Sequence, residues 1–571
     1  MDVGQQSIWE QQLVDLSNVD TIAQALDLDK SVAQILVRRG IQTVEEARRF
    51  LCPSLDQLHD PFLLPDAATV VDRLLVAVER NERIAIHGDY DVDGVTATVL
   101  IRRVLHLIGA DVIHYIPHRL TDGYGLQISG IDRLHQEGAK VVVTVDCGVR
   151  SLNAAKRARE LGIDLIVTDH HEPGDVLPDA LGVINPRRQD SNYPCRDLSG
   201  AGIALKLAQG ICTRLNRSEW MPGLTKIAAI GTVADVVRLR GENRVIAKLG
   251  LDALTVGRHT RGLQALLEVS KLDGKRVTSE DVGFRLAPRL NAAGRLSSAE
   301  LAAQLLLSTE TSSAQTCAAL AKELDDLNAQ RRELERDGTQ SVYASLGGSE
   351  RPCYVVWSAD WHRGVIGIMA SRLAERYRRP AIVIAVEGDD AYGSGRSIPG
   401  FDLLSALDNC SDLLIQYGGH RQAIGLRLRN RSIEAFRQQF EKYVGDRVVM
   451  ADCAPRLHFD AEIEFGAITQ KFVRDMQQLE PFGNGHSRPV FVTSGVQVVD
   501  GPHVVKSEHL RMTLGQGGKR FQAIAWGAAS EIGRFASTEA KMLKVAFSVS
   551  ENTFREITTT QLTIADIKED D

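Results

Sequence analysis

No Cys-x-x-Cys pair occurs anywhere in the chain, although eight cysteines are scattered along it. That argues against a thiolate zinc site and against a disulfide framework, and a reduced, cytoplasmic setting is expected. No run approaches 18 uncharged apolar residues, so no transmembrane helix and no membrane association are expected. Residues 1–6 carry no positive segment ahead of an apolar one, so no secretory leader is expected. A basic excess is also missing, since the net charge is −7. This excludes little, because charge acts locally and a basic groove can lie beside an acidic site. What remains is an ordinary globular composition, 44% apolar and 25% charged, in 571 residues. That length exceeds one hydrophobic core and implies three or four domains.

The stretch that organises the rest is Ile84-Ala85-Ile86-His87-Gly88-Asp89-Tyr90-Asp91-Val92-Asp93-Gly94. A short apolar run ends in histidine, and aspartates follow at every second position. Such carboxylates repel one another unless a cation lies between them. A bare acidic surface turn is the alternative at this point.

From residue 67 apolar runs alternate with helical patterns, as in a parallel sheet covered by helices on both faces. Ligands of such sheets bind beyond the carboxyl ends of the strands. Val141-Val142-Val143-Thr144-Val145 ends in Asp146, and Leu165-Ile166-Val167-Thr168 ends in Asp169-His170-His171. A further apolar segment, residues 227–234, ends in Asp235. A lone aspartate after a strand is often a helix cap. Four such places point to a metal centre. Carboxylates and imidazole without thiolate suit Mn²⁺ or Mg²⁺. The number of candidate ligands suits two ions roughly 3.5–4 Å apart, the arrangement of phosphoryl-transfer sites. His171 is then the imidazole left to contact a phosphate oxygen.

These residues resemble the motifs of the DHH phosphoesterase superfamily, and within it the RecJ family of single-strand-specific exonucleases. The resemblance extends to Arg285-Leu286-Ala287-Pro288-Arg289-Leu290-Asn291-Ala292-Ala293-Gly294-Arg295, Trp361-His362-Arg363-Gly364, Gly393-Ser394-Gly395-Arg396-Ser397 and Gly418-Gly419-His420. It covers roughly residues 30–550. Arg150 departs from it, standing where small hydroxyl residues are common, and Arg238 stands where proline is usual. The resemblance implies a 5′-to-3′ exodeoxyribonuclease on single-stranded DNA, releasing 5′-mononucleotides with Mn²⁺ or Mg²⁺, in DNA repair and recombination. It also implies a single-strand-binding protein and a helicase as partners. The expected metal ligands are His87, Asp89, Asp91, Asp93, Asp146, His170 and Asp235. Asp91, Asp93, Asp146, His170, His171 and Asp235 are expected to be catalytic. The expected substrate contacts are Arg119, Arg289, Arg295, Ser394, Arg396 and His420, with Arg119, Arg295, Ser394 and Arg396 holding the terminal 5′ phosphate.

The expected fold class is multidomain α/β. A helical segment at 1–66 precedes a parallel-sheet DHH phosphoesterase domain at 67–300. A connecting helix at 301–346 of about 45–50 Å has a solvated charged face. A second α/β, DHH-associated substrate-binding domain spans 347–450, with residues 393–397 as a glycine-flanked loop. Strong period-two alternation after 451 predicts an OB-like β-barrel at 451–571 that binds DNA. Phe482, His503, Lys506, His509, Arg511, Lys519 and Arg520 are its candidate strand contacts. A monomer is expected. Two other functions compete: a phosphoesterase of short oligonucleotides or other small phosphate substrates, and a catalytically silent DNA-binding scaffold. The barrel speaks against the first and the complete ligand set against the second.

Overall fold

A computed structural model describes residues 7–11, 14–123, 125–346, 351–447, 456–532, 535, 541–554 and 557–570. The boundaries expected at 346/347 and 450/451, and Cys453, touch or lie outside these residues. Two compact units divide the chain, one formed by Ser54–Asp452 and the other by Met1–Pro53 with Cys453–Asp571.

The larger unit begins with a parallel sheet in the order Val112–Tyr115, Ile84–His87, Val141–Val145, Asp164–Thr168, Gly182–Ile184. Every residue of Ile84–His87 and Val141–Val145 is buried. Strands covered on both faces read as continuous apolar runs, which is why these were visible in the sequence. Helices Val92–Leu107, Gly200–Leu215 and Met221–Ala234 join one core with Ile84, Ile86 and Val143.

The region expected to be one connecting helix contains two, Glu300–Leu307 and Ala314–Leu346. At about 1.5 Å per residue the second is about 50 Å long. It links two cores: Cys317, Ala321 and Leu324 pack against the parallel-sheet domain, and Val342 and Leu346 against the second sheet. Its charged face is not wholly solvated. Glu335 is 2% exposed and lies between Arg331, at 2.9 Å, and Arg372. A buried carboxylate needs such partners, and charge spacing alone does not reveal them.

The second sheet runs Leu414–His420, Ala423–Arg429, Asp390–Arg396, Ala381–Glu387, Tyr354–Ser358, and only its last pair is parallel. Residues 393–396, expected as a loop, therefore form the end of the central strand. A Cβ on Gly393 would lie 2.7 Å from the Leu426 side chain, and one on Gly395 2.7 Å from Ile424. Period-two alternation puts these glycines on the packed face, and Ser394 and Arg396 on the other.

In the smaller unit, the strand Phe491–Val505 pairs with both His509–Gln516 and Leu543–Phe554, closing a five-stranded barrel through Lys519–Ala525 and Ile557–Glu569. Closure removes exposed strand edges. Helices Val19–Leu26, Lys30–Arg38 and Val44–Leu51 share its apolar core, Ile22, Ile35 and Leu36 belonging to the same buried cluster as Phe472 and Phe547. Phe482 is 6% exposed and stacks with His486, so it belongs to this core. Trp526, in contrast, is 59% exposed, with its ring 4.7 Å from that of His509.

Candidate active site

Parallel pairing in register brings the carboxyl ends of three neighbouring strands side by side. The chain leaving Ile84–His87 presents Asp89 and Asp91, that leaving Val141–Val145 presents Asp146, and that leaving Asp164–Thr168 presents Asp169, His170 and His171. Asp91 caps the helix Val92–Leu107 and accepts from the Gly94 N–H at 3.0 Å. Asp93, in the first turn, accepts from the Gly200 and Ala201 N–H groups at 2.6 and 2.8 Å. One carboxylate thus ties the starts of two helices together. Asp235 arrives differently from the strand-end residues, from the carboxyl end of the helix Met221–Ala234. Carbonyl dipoles there disfavour an anion and add to the need for a cation.

The ligand atoms form overlapping groups. Asp89, Asp91 and Asp146 make one, Asp93, His170 and Asp235 a second, and Asp146, His170 and His171 a third, each within 4.8 Å. Nε2 of His170 lies 3.1 Å from Asp146 Oδ1, 3.7 Å from Asp235 Oδ2 and 3.9 Å from Asp93 Oδ2. Asp89 Oδ1, Asp146 Oδ1, His170 Nε2 and Asp235 Oδ2 are all buried without a hydrogen bond. Orphaned buried acceptors are expensive, and convergent ones mark the place of a missing positive charge. Burial, joined by the Asp91 charge, pushes Asp89 up to about 8 and Asp93 up to about 7. Burial and then Asp93 and Asp91 push Asp235 up to about 9, and Asp146 is raised well above the carboxylate range by burial and the same neighbours. Burial, then His171, pulls His170 down to about 3, leaving the neutral imidazole that a metal requires. Oxygen and imidazole donors without thiolate fit a hard or borderline divalent ion. The first two groups share no residue, so the set has room for two.

Close backbone approach completes the cradle. A Cβ on Gly200 would lie 2.5 Å from Asp146 Oδ1, and one on Gly94 2.7 Å from Asp89. Asp146 itself has φ +62°, a left-handed conformation unusual outside glycine and characteristic of functional strain.

The structure does not bring His87 into these groups. Its ring stands edge-on to Tyr115 at 5.4 Å, with Nδ1 3.8 Å from the Cys147 sulfur, and burial pulls it down to about 4. Asp169 takes a role that spacing did not show. Its Oδ1 lies 2.7 Å from His171 Nδ1 while its Oδ2 accepts from the Val149 N–H, so it orients His171. The His420 ring, at the end of its strand, lies parallel to that of His171 with centroids 6.2 Å apart.

Three of the expected arginines gather. Arg295 is pulled down to about 10 by burial and by Arg119, Arg331 and Arg396. Arg396 is lowered by burial and Arg119. Arg119 lies over the Tyr90 ring at 4.9 Å. Arg396 donates to the Gly395 carbonyl at 2.8 Å and to Ser394 Oγ at 3.3 Å. The start of the helix Ile366–Tyr377 abuts them, since a Cβ on Gly367 would lie 3.1 Å from Ser394 Oγ. Guanidinium groups, a hydroxyl and a helix N-terminus together suit a phosphate. Arg289 is engaged elsewhere. It pairs with Asp325 at 2.8 Å and donates to the Arg285 carbonyl at 2.7 Å, because helical spacing turns it toward the long helix.

Three family models match the chain: the DHH family N-terminal domain over residues 83–232, the DHHA1 domain over 349–446 and the RecJ OB domain over 459–566. A single-stranded-DNA-specific exonuclease RecJ of Salmonella typhimurium is 33% identical over 95% of this chain and 96% of its own length. The chain belongs to the RecJ family. A RecJ of Bacillus subtilis is 36% identical over 89% of this chain, which spans 64% of that relative's length. The crystal structure of RecJ from Thermus thermophilus in complex with Mn²⁺ matches with a TM-score of 0.84 at 29% identity, covering 99% of this chain and 80% of that one.

Proposed function

We infer that this chain is a metal-dependent exonuclease that degrades single-stranded DNA from its 5′ end, releasing 5′-mononucleotides, and that it acts in DNA repair and recombination. The observation that carries the reading is the pairing of two groups of buried like charge in one unit. Acids and imidazole with orphaned atoms face a cation, and arginines beside Ser394 face an anion. Relatives in this family are single-stranded-DNA-specific exonucleases, and the Thermus thermophilus protein was solved with Mn²⁺ and with Mg²⁺.

Asp89, Asp91 and Asp146 would hold one divalent ion and Asp93, His170 and Asp235 the other. Bound there, two such ions lower the pKa of a water and neutralise the attacked phosphate. The protein's own groups do the positioning. Asp169 fixes the His171 ring, and His171 with His420 contacts a phosphate oxygen. Arg119, Arg295, Ser394 and Arg396 hold the terminal 5′ phosphate and so set the polarity of digestion. Arg289 braces the helical layer. In the other unit, Trp526 and His509 offer an exposed aromatic surface on which bases stack. The phosphoesterase, DHH-associated and barrel regions are retained as functional divisions, with the first three helices counted with the barrel. Unwound strands come from a helicase, and a single-strand-binding protein covers them. The seven described cysteines are free thiols, which suits a cytoplasmic enzyme. Among the described residues no helix is long and apolar enough to cross a membrane.

Digestion of strands labelled at the 5′ or the 3′ end, with Mn²⁺, tests the reading. Mononucleotides should appear first from the 5′ label, and blunt duplex should persist. Survival of long strands while dinucleotides are cleaved would favour the small-substrate phosphoesterase.

A further inference from the structure

Two more arginines follow strand ends away from the Arg119 edge, one at the middle of the sheet and one at its far edge. Arg119 follows the edge strand Val112–Tyr115, whereas Arg150 follows Val141–Val145 and Arg187 follows the other edge strand, Gly182–Ile184. Glu172, just past His171, joins them. Arg150 Nε donates to the Glu172 carbonyl at 2.8 Å, and Arg187 Nη1 lies 3.3 Å from the Glu172 carboxylate. Arg187 is also 3.6 Å from Asp197 and a third exposed. Arg150 is exposed, and its terminal nitrogens have no protein partner among the described residues. Both sit at the rim of the acidic group, since Arg150 stands four residues past Asp146 and Glu172, which both arginines touch, directly follows His171. Two guanidinium groups gathered on one residue, one of them already on its carboxylate, offer the donors that take a phosphate diester.

We propose that Arg150 and Arg187 form a second phosphate shelf, which binds the first backbone phosphate on the 3′ side of the bond being cut. The proposal rests on the nuclease reading above. With the 5′ phosphate among Arg119, Arg295 and Arg396, the strand crosses the acidic group toward the Gly182–Ile184 edge. Its next phosphate then replaces the Glu172 carboxylate on Arg187 and meets the open end of Arg150. The shelf therefore makes a substrate with one more phosphate bind better, without contacting the bond that breaks.

Three small substrates test this with Mn²⁺ present: a 5′-phosphorylated dinucleotide, the corresponding trinucleotide, and the dinucleotide carrying a 3′-terminal phosphate. The first lacks a phosphate on the 3′ side of the scissile bond, and the other two have one. For the unaltered protein KM should be roughly tenfold lower for the last two, the worth of one charge-assisted contact. Arg150→Ala and Arg187→Ala should each remove most of that advantage, while Arg150→Lys retains much of it. The advantage should also weaken with salt by a slope of about 0.7, and this extra slope should vanish in Arg150→Ala. An advantage that survives in Arg150→Ala, or a KM rise equal on all three substrates, overturns the shelf. Among the described residues Arg150 makes a single side-chain hydrogen bond, so Arg150→Ala alone decides the matter if Arg187→Ala fails to fold. If the unaltered protein cleaves neither these substrates nor long single strands, the nuclease reading itself falls.

Discussion

The carboxyl edge of the parallel sheet and the central strand of the second sheet bury charge of opposite sign, and they do so by different means. The acidic group is assembled from loops and helix ends, with glycines letting backbone approach carboxylate. Ser394 and Arg396 instead stand on a strand, aligned by its alternation while Gly393 and Gly395 pack behind. Two unit charges of like sign 4 Å apart repel by about 4 kcal/mol at an effective dielectric of 20. Neither group is therefore at rest without a ligand of opposite sign. The acids rise toward neutrality and the arginines fall, which is the same tension seen from two sides. The difference is instructive. A cation needs short, convergent ligands and so a preformed cradle, whereas a phosphate needs donors at the reach of a long side chain.

Breaking the acidic group should have the largest effect. Asp235→Ala should lower exonuclease turnover on single-stranded DNA by about 10³ or more, since it would remove one of the three side chains proposed above to hold a cation. Calorimetric titration with Mn²⁺ should show the loss of one binding event, and a wild-type isotherm would refute the assignment. Gly200→Ala leaves every ligand in place yet puts a methyl group 2.5 Å from Asp146 Oδ1. Mn²⁺ affinity should fall by about 10- to 100-fold, as when the support of a ligand is disturbed, with the circular dichroism spectrum unchanged. An affinity equal to wild type would mean that Asp146 is free to shift. Arg396→Ala tests the basic group and should act least. KM for 5′-phosphorylated strands should rise about tenfold while that for 5′-hydroxyl strands moves little, because a single charge-assisted contact to the terminal phosphate is lost. An equal rise for both strands would show that the arginines hold the chain but not its end.

Parts of this arrangement were legible because they are local. An apolar run ending in aspartate marks a buried parallel strand, and beyond such strands the structure gathers Asp89, Asp91 and Asp146 into one close group and places His170 beside Asp146. The barrel announced itself by period two. Other positions depend on what stands opposite. His87 carries a ligand's side chain, but the strand end turns it to Cys147 and Tyr115. Arg289 and Arg295 are six apart in one helix, and their angular separation sends one to Asp325 and the other toward Arg119 and Arg396.

By itself the sequence determined the fold class, the acidic motif with its chemistry, and the long helix between two cores. Each rests on periodicity or on a few adjacent residues, which act through the backbone they share. Tertiary structure alone decided which atoms converge, that residues 393–396 form a strand, that the first three helices join the barrel's core, and that Arg150 and Arg187 flank Glu172. Those facts depend on chain segments far apart in sequence meeting in space, and no local spacing encodes the distance between them.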